Sequence, residues 1–335
     1  MKNLIFILTT TILISLFSSC NKSTASEDDQ PKNHTEENLR YQGPIIDMHM
    51  HAYDKSNPLF GEVTNPTTGD KYMGSKDVAS HEKETADMME KHNIVMTMIS
   101  SGSHQVVKKW ASMHPQKVIK GQIIINPNEI NIDSLKLWHN KGELDIIGEV
   151  APNYAGIKPD DNSLTPLFDL AEELEIPIAY HILPGGPPGG VYFAYPETRA
   201  SQARPLLIEE HLVSHPKVKI YIMHAGWPFV DEMKALMYAH PQVYVDLGVI
   251  SWVLEEKELH NFLNELVDAG FGKRIMFGSD QMTFTGKIET AINHVNSAPL
   301  TMEVKEDIFY NNAARFLDLS LETIRQHKGH KNHSE

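Results

Sequence analysis

The chain has 335 residues, 41% hydrophobic and 22% charged, an ordinary globular mixture with enough apolar mass to bury a large core. With 44 acidic against 30 basic residues its net charge is −14, which repels phosphate backbones and anionic membranes and argues against nucleic acid as a partner. The one cysteine, Cys20, rules out an intrachain disulfide and every multi-cysteine zinc site, so a bound metal has to be held by carboxylates and some of the 18 histidines.

The N-terminus places Lys2 ahead of an apolar run from Leu4 to Phe17, then Ser18-Ser19 before Cys20. The run is too short for a comfortable transmembrane helix. It resembles a bacterial lipoprotein signal, which implies removal of residues 1–19 and lipid attachment at Cys20, although Phe17 departs from the commonest pattern at the third place before the cysteine. The expected location is therefore the bacterial envelope, lipid-anchored at the periplasmic face or outer membrane, with no membrane contact other than the anchor. Residues 20–41 are polar and carry too little apolar surface to fold, so they read as a tether. Residues 42–321 form the expected folded domain, and 322–335, with His327, His330 and His333, read as a polar C-terminal tail.

Within the folded part, β-rich runs recur at Ile45-Ile46, 94–99, 118–125, 144–150, 176–181, 218–224, 243–247 and 274–277. Helical patterns separate them. Leu167, Leu170, Ala171 and Leu174 keep helical spacing behind Thr165 as N-cap and Pro166 as first helical residue; Leu259, Phe262, Leu263 and Leu266 do so ahead of Gly270 as a stop. Eight alternating units predict an α/β fold, a parallel sheet closed into a (β/α)8 TIM barrel, and the length is close to the ~250 residues typical of that architecture. Two long connections, Ala52 to about Ser80 and Leu183 to about Gln202, follow strands and so belong at the C-terminal mouth, where active sites occur.

The strand ends carry the chemistry. Asp47-Met48-His49-Met50-His51 puts two histidines on one face of the first strand, and Glu149, His181, His224 and Asp280 end the fourth, fifth, sixth and eighth. Each has a plain explanation alone, as a cap or a buried histidine; together they mark one rim. In this pattern the chain resembles the amidohydrolase superfamily of metal-dependent hydrolases, from His49 to the closing Phe309-Tyr310-Asn311-Asn312 segment, which is similar to the terminal helix of the amidohydrolase-related branch.

The resemblance implies one divalent ion, with zinc expected, and leaves room for a second. His49, His51 and Asp280 would bind the buried ion, and His181 and His224 match the ligands of a second one. Glu149 stands where many members have a carboxylated lysine, and it would either bridge two ions or sit beside one. In the single-ion alternative His49, His51, His181 and Asp280 hold the metal and His224 is free as an acid/base group.

A divalent ion lowers the pKa of its water to about 7 and polarises a carbonyl, after which Asp280 would shuttle the proton and His224 stabilise oxyanion charge. Tyr154, Trp227, Arg199 and Arg204 are candidate substrate contacts, the arginines as grips for a carboxylate. Asp246 is a candidate for support behind the ligands. The expected activity is hydrolysis of an amide, ester or lactone of a small molecule. The alternatives are metal-dependent decarboxylation, resembling a decarboxylase branch of the same superfamily, and a non-catalytic metal- or solute-binding envelope lipoprotein. A homo-oligomer is compatible with the sequence.

Overall fold

Along the chain the strands are β1 (Ile45–His51), β2 (Glu62–Thr64), β3 (Lys71–Met73), β4 (Ile94–Ser101), β5 (Val118–Ile124), β6 (Ile146–Val150), β7 (Ile178–His181), β8 (Ile220–Met223), β9 (Val243–Asp246) and β10 (Ile275–Met276). Eight of them make a parallel sheet in the order β1-β4-β5-β6-β7-β8-β9-β10, and helices lie between successive strands. This is the (β/α)8 barrel. The computed structural model describes residues 40–65, 69–185, 190–192 and 194–329. The expected signal segment, Cys20, nearly all of the tether, His330 and His333 lie outside the described residues. Among the described residues no helix is long and apolar enough to cross a membrane.

The barrel closes without a ladder between β1 and β10. The seam instead has two backbone bonds, Met48 N–H to the Phe277 carbonyl at 2.9 Å and Asp280 N–H to the His49 carbonyl at 2.7 Å. Side chains supply the rest. Asp47 Oδ1 accepts from the backbone of His49 and of Ser279, each at 3.0 Å, and Gln281 accepts from His51 N–H at 3.0 Å while donating to the His51 carbonyl at 2.9 Å. These buried polar residues pair main-chain groups that a neighbouring strand would otherwise satisfy.

Two apolar layers hold the sheet. Leu167, Phe168, Leu236, Leu263 and Ile292 come from the helices and pack on the strands' outer side chains, such as Ile147, Ile178 and Ile222. A smaller cluster of Ile46, Met48, Met98, Ile146, Tyr221, Met223 and Met276 adjoins Tyr310 and Ala313 and forms a floor beneath the mouth. In β1 the register against β4 shifts between Asp47 and Met50, and in β6 the register against β7 shifts between Ile147 and Val150. Such irregularities re-aim side chains. Here they bracket His49 and Glu149.

Local structure departs from the sequence reading in three places. The helix Thr165–Leu174 starts one residue early, with Leu164 at the cap position, because a 3-10 turn at Asn162–Leu164, capped by Asp161, leads directly into it. The first long connection contains an antiparallel pair, β2 with β3, centred on Val63 opposite Tyr72. The expected polar tail is, as far as residue 329, a short helix at Leu321–His327: Ser320 caps it, His327 Nδ1 lies 3.0 Å from the Tyr310 hydroxyl and Lys328 pairs with Glu306 at 2.8 Å.

Candidate metal centre

Six strand-end residues converge at the mouth: His49 and His51 from β1, Glu149 from β6, His181 from β7, His224 just beyond β8 and Asp280 beyond β10, all nearly buried. Asp280 and His224 adopt left-handed backbone, φ 46° and 63°. Such conformations are strained for residues other than glycine and persist where surrounding structure holds them.

His49 Nε2 lies 3.9 Å from Glu149 Oε2 and 3.7 Å from Asp280 Oδ1, and His51 Nε2 lies 3.4 Å and 3.0 Å from the same two oxygens. Ligands held tetrahedrally at roughly 2.0–2.2 Å from a zinc-sized ion stand roughly 3.3–3.6 Å apart, so this set already has ligand spacing. His49 Nε2 and Asp280 Oδ1 are buried and make no aligned hydrogen bond. Burial alone would lower the pKa of His49, but Asp280, Asp246 and Glu149 outweigh it and raise the value to about 10. The space between these groups attracts a cation, and the residues fit a divalent metal.

The other half of the site is spaced for hydrogen bonding. His181 Nδ1 is 2.5 Å from Glu149 Oε1 and 2.9 Å from His224 Nε2. His224 Nδ1 donates to the Gly248 carbonyl at 2.9 Å, which leaves its Nε2 as an acceptor. Burial, with His181 and His49 nearby, lowers the pKa of His224 to about 4. Glu149 therefore faces both halves, Oε2 towards the β1 histidines and Oε1 towards His181. Burial would raise Glu149 and Asp280, yet the surrounding histidines hold both carboxyls well below their usual range.

Asp246 supports the centre from behind. Its Oδ2 accepts from His49 Nδ1 at 3.1 Å, which turns Nε2 inward, and its Oδ1 accepts from His224 N–H at 2.9 Å and Gly248 N–H at 2.8 Å. Two glycines allow this packing. A Cβ on Gly248 would fall 2.3 Å from His49 Nδ1, and one on Gly278 would fall 2.8 Å from His49 Cβ. Trp252 donates to the Ser279 carbonyl at 2.7 Å and steadies the turn before Asp280. Neither the glycines nor Trp252 stood out in the sequence, since only the folded chain brings the segments after β9 and β10 against His49.

The substrate candidates separate. Tyr154 lies against His181, ring centres 4.6 Å apart, and stacks on Tyr195 at 3.8 Å and 9°. Tyr53 covers His51 at 5.8 Å. Tyr53 and Tyr195 were missed because they sit on the two long loops, far apart in sequence. Trp227 donates to Glu258 at 3.1 Å and packs on the outer layer. The arginines are turned to other partners: Arg199 donates to the carbonyls of Pro196 and Thr198 at 2.8 and 2.7 Å, and Arg204 donates through Nε to Glu232 at 2.8 Å. Backbone and carboxylate acceptors next to their own loop take both guanidinium groups away from a substrate carboxylate.

The chain belongs to the amidohydrolase family, whose model matches residues 148–319. Solved structures share the fold. A probable 2-pyrone-4,6-dicarboxylic acid hydrolase from Acinetobacter baumannii is 13% identical, with 82% of this chain and 99% of that one covered at TM-score 0.58. A 2,6-dihydroxybenzoate decarboxylase from Rhizobium is 13% identical, with 83% and 99% covered at TM-score 0.54. A dihydroxybenzoic acid decarboxylase from a Polaromonas species, with bound manganese, is 11% identical, with 83% and 97% covered at TM-score 0.56. No curated protein sequence matches the chain.

Proposed function

We propose that this amidohydrolase is a zinc-dependent hydrolase that cleaves an ester, lactone or amide of a small molecule at the β1 histidine pair. His49, His51, Glu149 and Asp280 would hold the ion, with Glu149 also reaching the His181–His224 half, where a second ion would bind if those two histidines moved apart. When bound, the metal supplies a water acidified to near neutrality and a Lewis acid for a carbonyl. Asp280, holding the ion through Oδ1, accepts a proton at Oδ2 and returns it to the leaving group, and His224, neutral and fixed by Gly248, stands by as an acceptor at Nε2.

The observation that carries hydrolysis is the pair of buried carboxylates beside the β1 histidines: Glu149 and Asp280 lie 3.4 Å and 3.0 Å from His51 Nε2, and His224 Nε2 is an acceptor because its Nδ1 donates to the Gly248 carbonyl, so the centre offers the proton acceptors that activation of water requires. Decarboxylation is the second reading, favoured by the decarboxylases among the structural neighbours; it calls for a proton donor to the carbon left behind. Metal analysis of the purified protein, with a panel of lactones, esters, amides and carboxylated aromatics, tests the reading. About one zinc per chain with lactone or ester turnover supports it; carbon dioxide release without hydrolysis overturns it.

For location, the same proposal takes Cys20 as a lipid attachment point in the bacterial envelope. Metabolic labelling with a fatty acid, lost in Cys20→Ser, tests that part.

A further inference from the structure

The mouth presents an unusual balance of polar groups. Tyr53, Tyr154 and Tyr195 come from three different connections, and each is close enough to Glu149 and Asp280 for the two carboxylates to raise its pKa on top of burial. Tyr53 and Tyr154 also feel Tyr195. Tyr53 lies against His51, Tyr154 against His181, and Tyr195 stacks on Tyr154, so the three phenols line the same mouth. None of their hydroxyls makes a hydrogen bond among the described residues. A phenol with no protein partner is a donor available to a ligand oxygen.

Three of the nearby cations are committed elsewhere. Arg199 and Arg204 are used by loop carbonyls and Glu232, and Lys287 lies over the Trp252 ring at 5.4 Å. Lys55, Lys76 and Lys158 on the mouth loops are exposed. Residues 66–68, 186–189 and 193 carry no charge. The groups that hold Glu149 and Asp280 ionised are all histidines. Even with one divalent ion bound, the three carboxylates Glu149, Asp246 and Asp280 leave the centre net negative, so a carboxylated substrate would add like charge there, and the lysines on the mouth loops are exposed to solvent rather than buried beside it.

We propose that Tyr53, Tyr154 and Tyr195 form a receiving wall that selects a flat, uncharged ring bearing acceptor oxygens, a neutral lactone, over the carboxylated form of the same ring. The stacked Tyr154–Tyr195 pair supplies the flat surface, and the hydroxyls supply donors for the ring and carbonyl oxygens. This rests on the hydrolase reading for the word lactone but not for the preference between charges.

Titration calorimetry of the purified, metal-containing protein with coumarin and with coumarin-6-carboxylate tests it. Coumarin should bind at least about tenfold more tightly. Tyr195→Phe should weaken coumarin by about fivefold through the lost donor, and Tyr195→Arg, which supplies the missing cation, should reverse the order of the two ligands. Equal or tighter binding of the carboxylate by the unmodified protein, or no binding of coumarin, overturns the proposal. If the preference holds while no lactone is hydrolysed, the hydrolase reading falls and the neutral-ring selection stands.

Discussion

The mouth and the floor of this barrel are built on the same strands and face opposite demands. In β1, Ile46 and Met48 enter the apolar floor, while His49 and His51 enter the candidate metal centre. The floor gains from every methylene it buries. The mouth instead crowds ionised carboxylates, buried atoms without hydrogen bonds and left-handed backbone at Asp280 and His224. Stability is concentrated at one end, and strain that a ligand can relieve at the other.

Substitutions should separate the two ends. Asp280→Asn should lower kcat by about 1000-fold or more, since it removes the proposed base, and should lower the Tm of the metal-free protein only modestly, because the neutral amide loses the attraction of His49 and His51 while asparagine still accepts left-handed backbone. Turnover with a thermal melt checks both signs, and near-normal turnover would erase the division. Met98→Ala, wholly buried in the floor, should cost about 2–4 kcal/mol in denaturant unfolding while leaving turnover per folded molecule close to normal.

Smaller effects sharpen the picture. Asp246→Asn should weaken metal affinity about 10–100-fold, because His49 loses the carboxylate that orients it; competition with a coloured chelator measures this. Taken over a single pH unit, the smallest effect is a pH slope. The raised pKa of His49, about 10, means that below that pH the metal-free protein carries a proton that binding must displace. Apparent affinity should therefore rise by up to about tenfold per pH unit between about 7 and 9, and flatten near 10.

The barrel was legible because eight apolar runs alternate with helical patterns, a signal carried within each segment. The strand-end histidines and carboxylates were legible for a related reason, since a residue at the C-terminal end of a barrel strand has only one rim to join. What the sequence hid depends on contacts between distant segments. The clearance that Gly248 and Gly278 give His49 exists only once the strands close, as does the meeting of Tyr53 with Tyr195. Arg199 is turned away by local partners, the carbonyls of Pro196 and Thr198, whereas Arg204 is taken by Glu232, 28 residues on, another contact that only the folded chain makes. The short helix within the polar tail was hidden because a polar helix held by Tyr310 and Glu306 has little apolar signature of its own.

The seam between β1 and β10 has a bearing on motion. The only adjacent walls of the barrel without a ladder meet where His49 and Asp280 exchange a backbone bond, with Asp47 and Gln281 completing the join through side chains. Side-chain bonds can let go one at a time, whereas a ladder yields as a unit. The easiest breathing of the wall therefore runs through the rim of the candidate site, and the Met48 and Asp280 amides should be the first of the amides along this wall to exchange with deuterated solvent.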